Sequence, residues 1–180
     1  MDKLDLPGYE LEVERKESLG LTGTQLYVRD TLEAYPARHL HDIERLVEAS
    51  SLSEHVKEGS LAIFGRLARA EAAIHGIPMD EVHFHEIGAV DTIVDVVGFV
   101  VGLEVLGIKQ VFASAVPLGS GTVDIAHGRF PVPVPATLAL LAEVKAPTVP
   151  HPAQTEIVTP TGAALLTHLA FRSGEVVSRA

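Results

Sequence analysis

VHFHEIGAVDTIVDVVGFVVGLEVL, residues 82–106, sets two histidines and Glu86 just ahead of a long apolar stretch that carries Asp91, Asp95 and Glu104. The second half of this segment decides the fold class. Ala89 to Leu106 is too long for an ordinary strand and prefers helix despite its many valines, and Gly107 ends it. Asp95 and Glu104 break the run well short of the ~20 apolar residues that a bilayer requires, so the reading is a buried helix. Val82 to Phe84, just before it, reads as a short extended piece.

Helical signals extend from this segment toward the N-terminus. Ser53 caps a helix that carries Val56, Leu61, Ile63, Phe64, Leu67 and Ala70 toward His75, where Gly76 and Pro78 stop it. Leu40 to Ala49 repeats apolar residues at helical spacing. Tyr9 to Glu14 and Thr24 to Val28 alternate like half-buried strands, with Gly20 and Gly23 as turn residues between them, which predicts a hairpin.

On the C-terminal side, Gln110 to Leu118 and Thr122 to Ala126 bracket Gly119, Ser120 and Gly121, a second candidate hairpin. Pro131, Pro133 and Pro135 mark an extended run until a helix opens at Pro135 or Ala136 and reaches Ala142. Glu156 to Val158 reads as a short strand. Thr159 then caps a helix with Pro160 at its first position, running to about Phe171. Strands that come as hairpins and helices that come in groups predict an α+β fold, with residues 1–30 as a hairpin appendage and 31–180 as one globular core.

Composition removes several function classes. With 180 residues and 47% hydrophobic content the chain can bury a sizeable core. A formal net charge of -10 argues against nucleic acid as a partner, because that affinity comes from Lys and Arg on phosphates. The absence of cysteine excludes disulfides, thiolate metal sites and cysteine nucleophiles, leaving imidazole and oxygen as donors. Met1 is followed by Asp2 and Lys3 rather than an apolar run, so a cytoplasmic protein with no membrane partner is expected.

Within that frame, His83 and His85 share a face if residues 82–86 are extended, and would diverge by about 200° in a helix. A His-x-His pair on a strand is aimed at one ion. Asp91 and Asp95 share a helix face and repel unless a cation or base lies between them. Imidazole with carboxylate suits zinc, nickel, cobalt or iron(II). Equally open from spacing alone is a structural role, with core or interface histidines and Asp91 as a helix cap. His39 and His41 form a second His-x-His pair, but they precede Asp42 at a helix start and are read as solvated capping residues.

Three further places invite attention. Gly119-Ser120-Gly121-Thr122 has the backbone to cradle a phosphate, though two glycines between strands are first of all a turn, and no Walker lysine follows. His127, at a strand end beside Gly128, is either a projecting functional residue or a surface turn residue. Thr159, Thr161 and Gly162 form an anion seat or an ordinary helix cap. Nothing around Ser120 resembles a nucleophile elbow.

Taken in series, HFHEIGAVDTIVD at 83–95, PLGSGTVDIAHGRFPVPVPAT at 117–137 and EIVTPTGAAL at 156–165 resemble the nickel-insertion proteins that complete the nickel-pincer nucleotide cofactor, the LarC family. The resemblance covers most of the chain from about Leu40 to Leu169. It implies CTP-dependent insertion of Ni(II) between two thiocarboxylate sulfurs of a pyridinium mononucleotide, with a nickel–carbon bond formed. It points to His83, His85, Asp91 and Asp95 as metal-binding residues and to Glu86 and His127 as acid–base residues. For the nucleotide it points to Gly119, Gly121, Thr159, Thr161 and Gly162.

Mg(II) or Mn(II) would accompany CTP, and a C-terminal nucleotide-binding domain or separate subunit is the implied partner, with a second copy of the chain as another. The family opens with a segment of the type SGISGDM, whereas here Met1 almost directly precedes the hairpin, and the chain stops at Ala180. These 180 residues are therefore expected to be part of a larger enzyme. The rival readings are a zinc- or manganese-dependent hydrolase built on the same cluster and a non-catalytic subunit with structural histidines.

Overall fold

Ser53 begins the longest helix, its Oγ accepting the Val56 N–H at 3.3 Å. Gly76 ends that helix in the left-handed conformation, φ 66°. In the computed structural model, which describes residues 3–31, 38–84, 90–125 and 128–170, the helix spans Glu54–His75. The other elements are β1 (Tyr9–Ser18), β2 (Leu21–Asp30), β3 (Arg38–His39), α1 (Leu40–Ala49), then this helix as α2, a single 3-10 turn (Met79–Glu81), and β4 (His83–Phe84). They continue as α3 (Val90–Val105), β5 (Val116–Leu118), β6 (Thr122–Ile125), β7 (Gly128–Pro131), α4 (Pro135–Glu143), β8 (Thr148–Pro150) and α5 (Pro160–Leu169). The fold is α+β.

Val56, Ile63, Phe64 and Leu67 recur at helical spacing on α2 and are fully buried, so α2 presents one apolar seam to its neighbours. Burying each such side chain contributes roughly 1.5–3 kcal/mol before conformational entropy is set against it. Helices α1, α3, α4 and α5 all pack on α2. Val90, Val94, Val96, Val97 and Val100 of α3 are buried, and this packing outweighs the mild reluctance of β-branched residues to be helical. Arg66 of α2 ties the bundle with polar contacts, its Nη2 reaching Thr167 Oγ1 and Glu143 Oε2, both at 3.0 Å. Burial pulls its guanidinium below the ordinary arginine range, with Glu143 opposing that shift. No helix among the described residues is long and apolar enough to cross a membrane.

The first hairpin forms with ten register pairs from Tyr9↔Asp30 to Ser18↔Leu21. Its turn is Leu19-Gly20, both at positive φ, whereas Gly23, expected in the turn, lies inside β2 opposite Lys16. A two-residue loop with both φ positive matches the right-handed twist of the strands, so the chain reverses there. One face of the hairpin carries Glu12 paired with Arg29 and Glu14 accepting from the Tyr27 hydroxyl. The other carries Leu11, Val13, Leu26 and Val28. Only Tyr9 and Val28, at the base, pack on the core, and Leu11, Val13 and Leu26 are exposed.

Two expectations fail farther along. Residues 110–118 and 122–126 do not pair with each other: β5 pairs in parallel with β8, and β6 forms its hairpin with β7. Bonds from Val116 N–H to Pro147 O and from His151 N–H to Leu118 O hold β5 to β8, so Pro117, which has no N–H, costs that ladder nothing. Residues 156–158 are not a strand. The Val158 carbonyl accepts from the Thr137 hydroxyl at 3.2 Å instead of from a ladder partner. Among the described residues the last strand is β8, upstream.

Leu19 is fully exposed yet held at φ 51°, a conformation costing about 1–2 kcal/mol for a residue with a branched side chain. Leu19→Asn, which tolerates this region, is expected to slow amide exchange across β1 and β2 by about fivefold, the equivalent of about 1 kcal/mol. Unchanged or faster exchange would show that the turn stores no such strain.

Candidate metal centre

The two-stranded ladder β3–β4 carries the histidines. Its register sets Arg38 opposite Phe84 and His39 opposite His83. His83 is therefore on extended backbone, whereas a His-x-His pair depends on extended structure through His85 as well. His39 is both the last strand residue and the N-cap of α1, with φ -86° and ψ 164°. Its N–H donates to Asp42 Oδ2 at 3.0 Å, which fixes the chain where strand becomes helix. His85 and Glu86 lie outside the described residues, as does His127.

Asp91 and Asp95 stand on the first two turns of α3, both exposed. Asp91 Oδ1 accepts the Thr92 N–H at 2.7 Å. Burial against neighbouring atoms pushes the Asp95 carboxyl above the ordinary aspartate range, and the negative charge of Asp91 adds to the shift. A cation seated between the two would remove that repulsion. Among the described residues no group of three or more His, Asp or Glu side chains is gathered closely enough to hold a metal ion.

Gly119 and Gly121 are held by the chain that follows β8. Ser120 N–H donates to Ala153 O at 3.0 Å, and a Cβ at position 119 would lie 1.9 Å from Thr155 O. Gly119 is thus required for this close backbone approach. At the head of α5, Thr159 Oγ1 accepts the Gly162 N–H at 3.1 Å and Thr161 is half-buried. Thr159 lies four steps along the chain from Thr155, so the Gly119 loop and the N-terminus of α5 lie within about 14 Å of chain reach. The two sets of candidate nucleotide-binding residues belong to one region. His39, read from the sequence as a capping residue, is the N-cap of α1.

A family model described as nickel insertion protein matches residues 1–179. The chain belongs to the nickel insertion protein family. It is 50% identical over 164 residues to the pyridinium-3,5-bisthiocarboxylic acid mononucleotide nickel insertion protein of Desulfitobacterium hafniense, covering 91% of this chain and 40% of that one. A relative from Thermomicrobium roseum, provisionally named as a nickel insertion protein, is 55% identical over 168 residues, 93% of this chain and 41% of its own length. The chain thus spans about two-fifths of the length of these curated relatives. No solved structure matches it. Membership makes nickel the relevant metal for this family, and nitrogen with oxygen is a donor set that suits it.

Two outcomes test this geometry. Gly119→Ala forces a methyl against the Thr155 carbonyl and is expected to destabilise by about 1–3 kcal/mol or more, read as a lower midpoint in urea unfolding. A midpoint equal to that of the parent chain would contradict the close approach. For Asp95 the sign follows from its raised pKa. Ionisation opposes folding, so the penalty is absent below the ordinary value of 3.8 and complete once pH exceeds the folded-state value. Asp95→Asn, in chelator, is expected to melt higher than the parent chain at neutral pH and to lose that advantage on acidification through the carboxylate range. An advantage that persists or grows in acid would refute this account.

Proposed function

We propose that these residues take up Ni(II) and present it to pyridinium-3,5-bisthiocarboxylic acid mononucleotide, as part of a larger enzyme of the chelatase and lyase type. The observation that carries the reading is the 50% identity to the D. hafniense relative named for that insertion. His83 and His85 hold nickel before transfer. The two thiocarboxylate sulfurs then replace protein donors on nickel.

For the nickel–carbon bond to form, the ring carbon gives up its proton and the C–H electron pair becomes the bond to nickel, which stays Ni(II). Glu86 is assigned as the acceptor of that proton, with His127 as the second acid–base residue. Asp91 and Asp95 carry a divalent cation on α3, and the raised Asp95 pKa supports a place where added positive charge is favourable.

The substrate phosphate is assigned to the N-terminus of α5, at Thr159, Thr161 and Gly162, beside the loop of Gly119 and Gly121. The short reach between those two sets supports a shared seat. CTP with Mg(II) or Mn(II) is assigned to a further nucleotide-binding domain or subunit, and a second copy of the chain is a candidate partner.

Replacing both His83 and His85 by alanine is expected to abolish stoichiometric Ni(II) binding in calorimetry and metal analysis while the far-UV circular dichroism spectrum is kept. Undiminished stoichiometric binding in a folded double variant would sink the assignment.

A further inference from the structure

The outer half of the first hairpin has two faces of different character. On one, Glu12, Glu14, Tyr27 and Arg29 satisfy one another, through the Arg29–Glu12 ion pair and the Tyr27 hydroxyl on Glu14. The other carries, outward from the core, Leu11, Val13, Arg15 and Glu17 on β1, opposite Val28, Leu26, Thr24 and Thr22 on β2. Val13 and Leu26 are 64% and 47% exposed, and Leu19 in the turn is fully exposed. Arg15 and Glu17 are exposed too, and among the described residues neither forms an ion pair. Two opposite charges thus stand unpaired on the same face, one row apart.

A two-stranded ribbon is marginally stable in water unless something covers its apolar face. Only the base, at Tyr9 and Val28, is covered by this chain's own core. The uncovered part is complementary to itself. A twofold axis lying in the plane of contact, perpendicular to the strands and between the rows of Arg15 and Glu17, lays β1 over β1 of a second copy in the opposite direction. Arg15 of each copy then faces Glu17 of the other, Thr24 faces Thr22, and Val13 with Leu26 receives Leu19. An axis nearer the base would instead bring each tip against the core that already covers Tyr9 and Val28. The contact also gives a place to Leu19, an apolar side chain otherwise held in full exposure at φ 51°.

We propose that two copies of this chain associate through the outer half of the β1–β2 hairpin, face to face about this axis, with reciprocal Arg15–Glu17 pairs and Leu19 seated on Val13 and Leu26. The contact supplies a surface for the second copy named above as a candidate partner. It takes no residue from the nickel-binding set, so either assignment can fail alone. A ribbon this narrow offers less than the roughly 800 Å² per partner of a standard interface, so the association is reversible and depends on concentration.

The test is sedimentation equilibrium of the intact 180-residue chain in low salt, between about 10 µM and about 1 mM, the range suited to a small interface. A monomer–dimer equilibrium is expected. Arg15→Glu and Glu17→Arg each set like charges in both reciprocal contacts and are expected to weaken the dimer by about tenfold or more. An equimolar mixture of the two variants, and the double variant R15E/E17R, restore opposite charges in both contacts and are expected to associate about as tightly as the parent. Lys109→Glu, an exposed charge outside the hairpin, is expected to associate as the parent does.

A chain that is monomeric throughout overturns the proposal and leaves the face to another occupant, such as the remaining length of the longer relatives. If either single reversal leaves the association unchanged, the contact lies elsewhere and the proposal is overturned. Failure of the mixture or of the double variant to recover overturns the reciprocal pairing. The parent chain alone supplies a second readout: backbone amide signals of Val13, Arg15 and Leu19 are expected to shift with protein concentration. Signals that stay fixed across that range overturn the proposal even if a variant fails to fold.

Discussion

Burial of the α2 seam is the constraint on which the rest depends. Val56, Ile63, Phe64 and Leu67 are sealed from water only because four other helices close around them. Each closing helix is fixed by a specific contact as well as by apolar area. Ser53 Oγ, at the head of α2, also donates to Glu104 Oε2 at 2.6 Å near the end of α3, so the two helices run antiparallel. Gly59 sets how closely they approach, since a Cβ there would sit 3.1 Å from Val100 Cγ1. Arg66 adds polar ties to α4 and α5, its Nη2 meeting both Glu143 and Thr167 so that the charge is paired where it is partly buried.

The histidine ladder follows from the same packing. Helix α1 leads from β3 into α2, and the left-handed Gly76 lets the chain leave α2 and return through the Met79–Glu81 turn to β4. This turn packs on both α1 and α2, which brings β4 beside β3. A two-residue ladder is too short to hold itself together in water. It persists because Leu40 and Val82 on either side of it are buried in the core. Strands of this length give a precise register only when the surrounding helices supply the stability.

Charge is distributed so that α3 begins in an unfavourable state. Asp91 lies where the helix dipole favours a carboxylate, whereas Asp95, one turn farther in, gains less from the dipole and meets the charge of Asp91. The glycine loop is held by protein contacts, to residues 151–155 on one side and through the Val132 N–H on the Gly121 carbonyl on the other. Any role toward a phosphate is additional to that structural requirement.

Local chemistry made much of the fold readable. The Ser53 cap and Gly76 stop of α2, the apolar length of α3, the Thr159-Pro160 start of α5 and the first hairpin all depend on residues near one another in the chain, and each is found where its sequence pattern puts it except the hairpin's turn, which is tighter than expected and leaves Gly23 inside β2. The absence of cysteine confined metal chemistry to nitrogen and oxygen, and the three long motifs named the family. Pairing between distant segments was not readable. The parallel partnership of β5 with β8 is formed across the whole of α4, and nothing in Val116–Leu118 specifies Thr148–Pro150. The same holds for His39 and His83: sequence supplied both imidazoles, and only the closing of helices around α2 decided that they stand opposite each other. Caps and turns are fixed by bonds a few residues long, while a ladder between remote strands is fixed by the core that carries them.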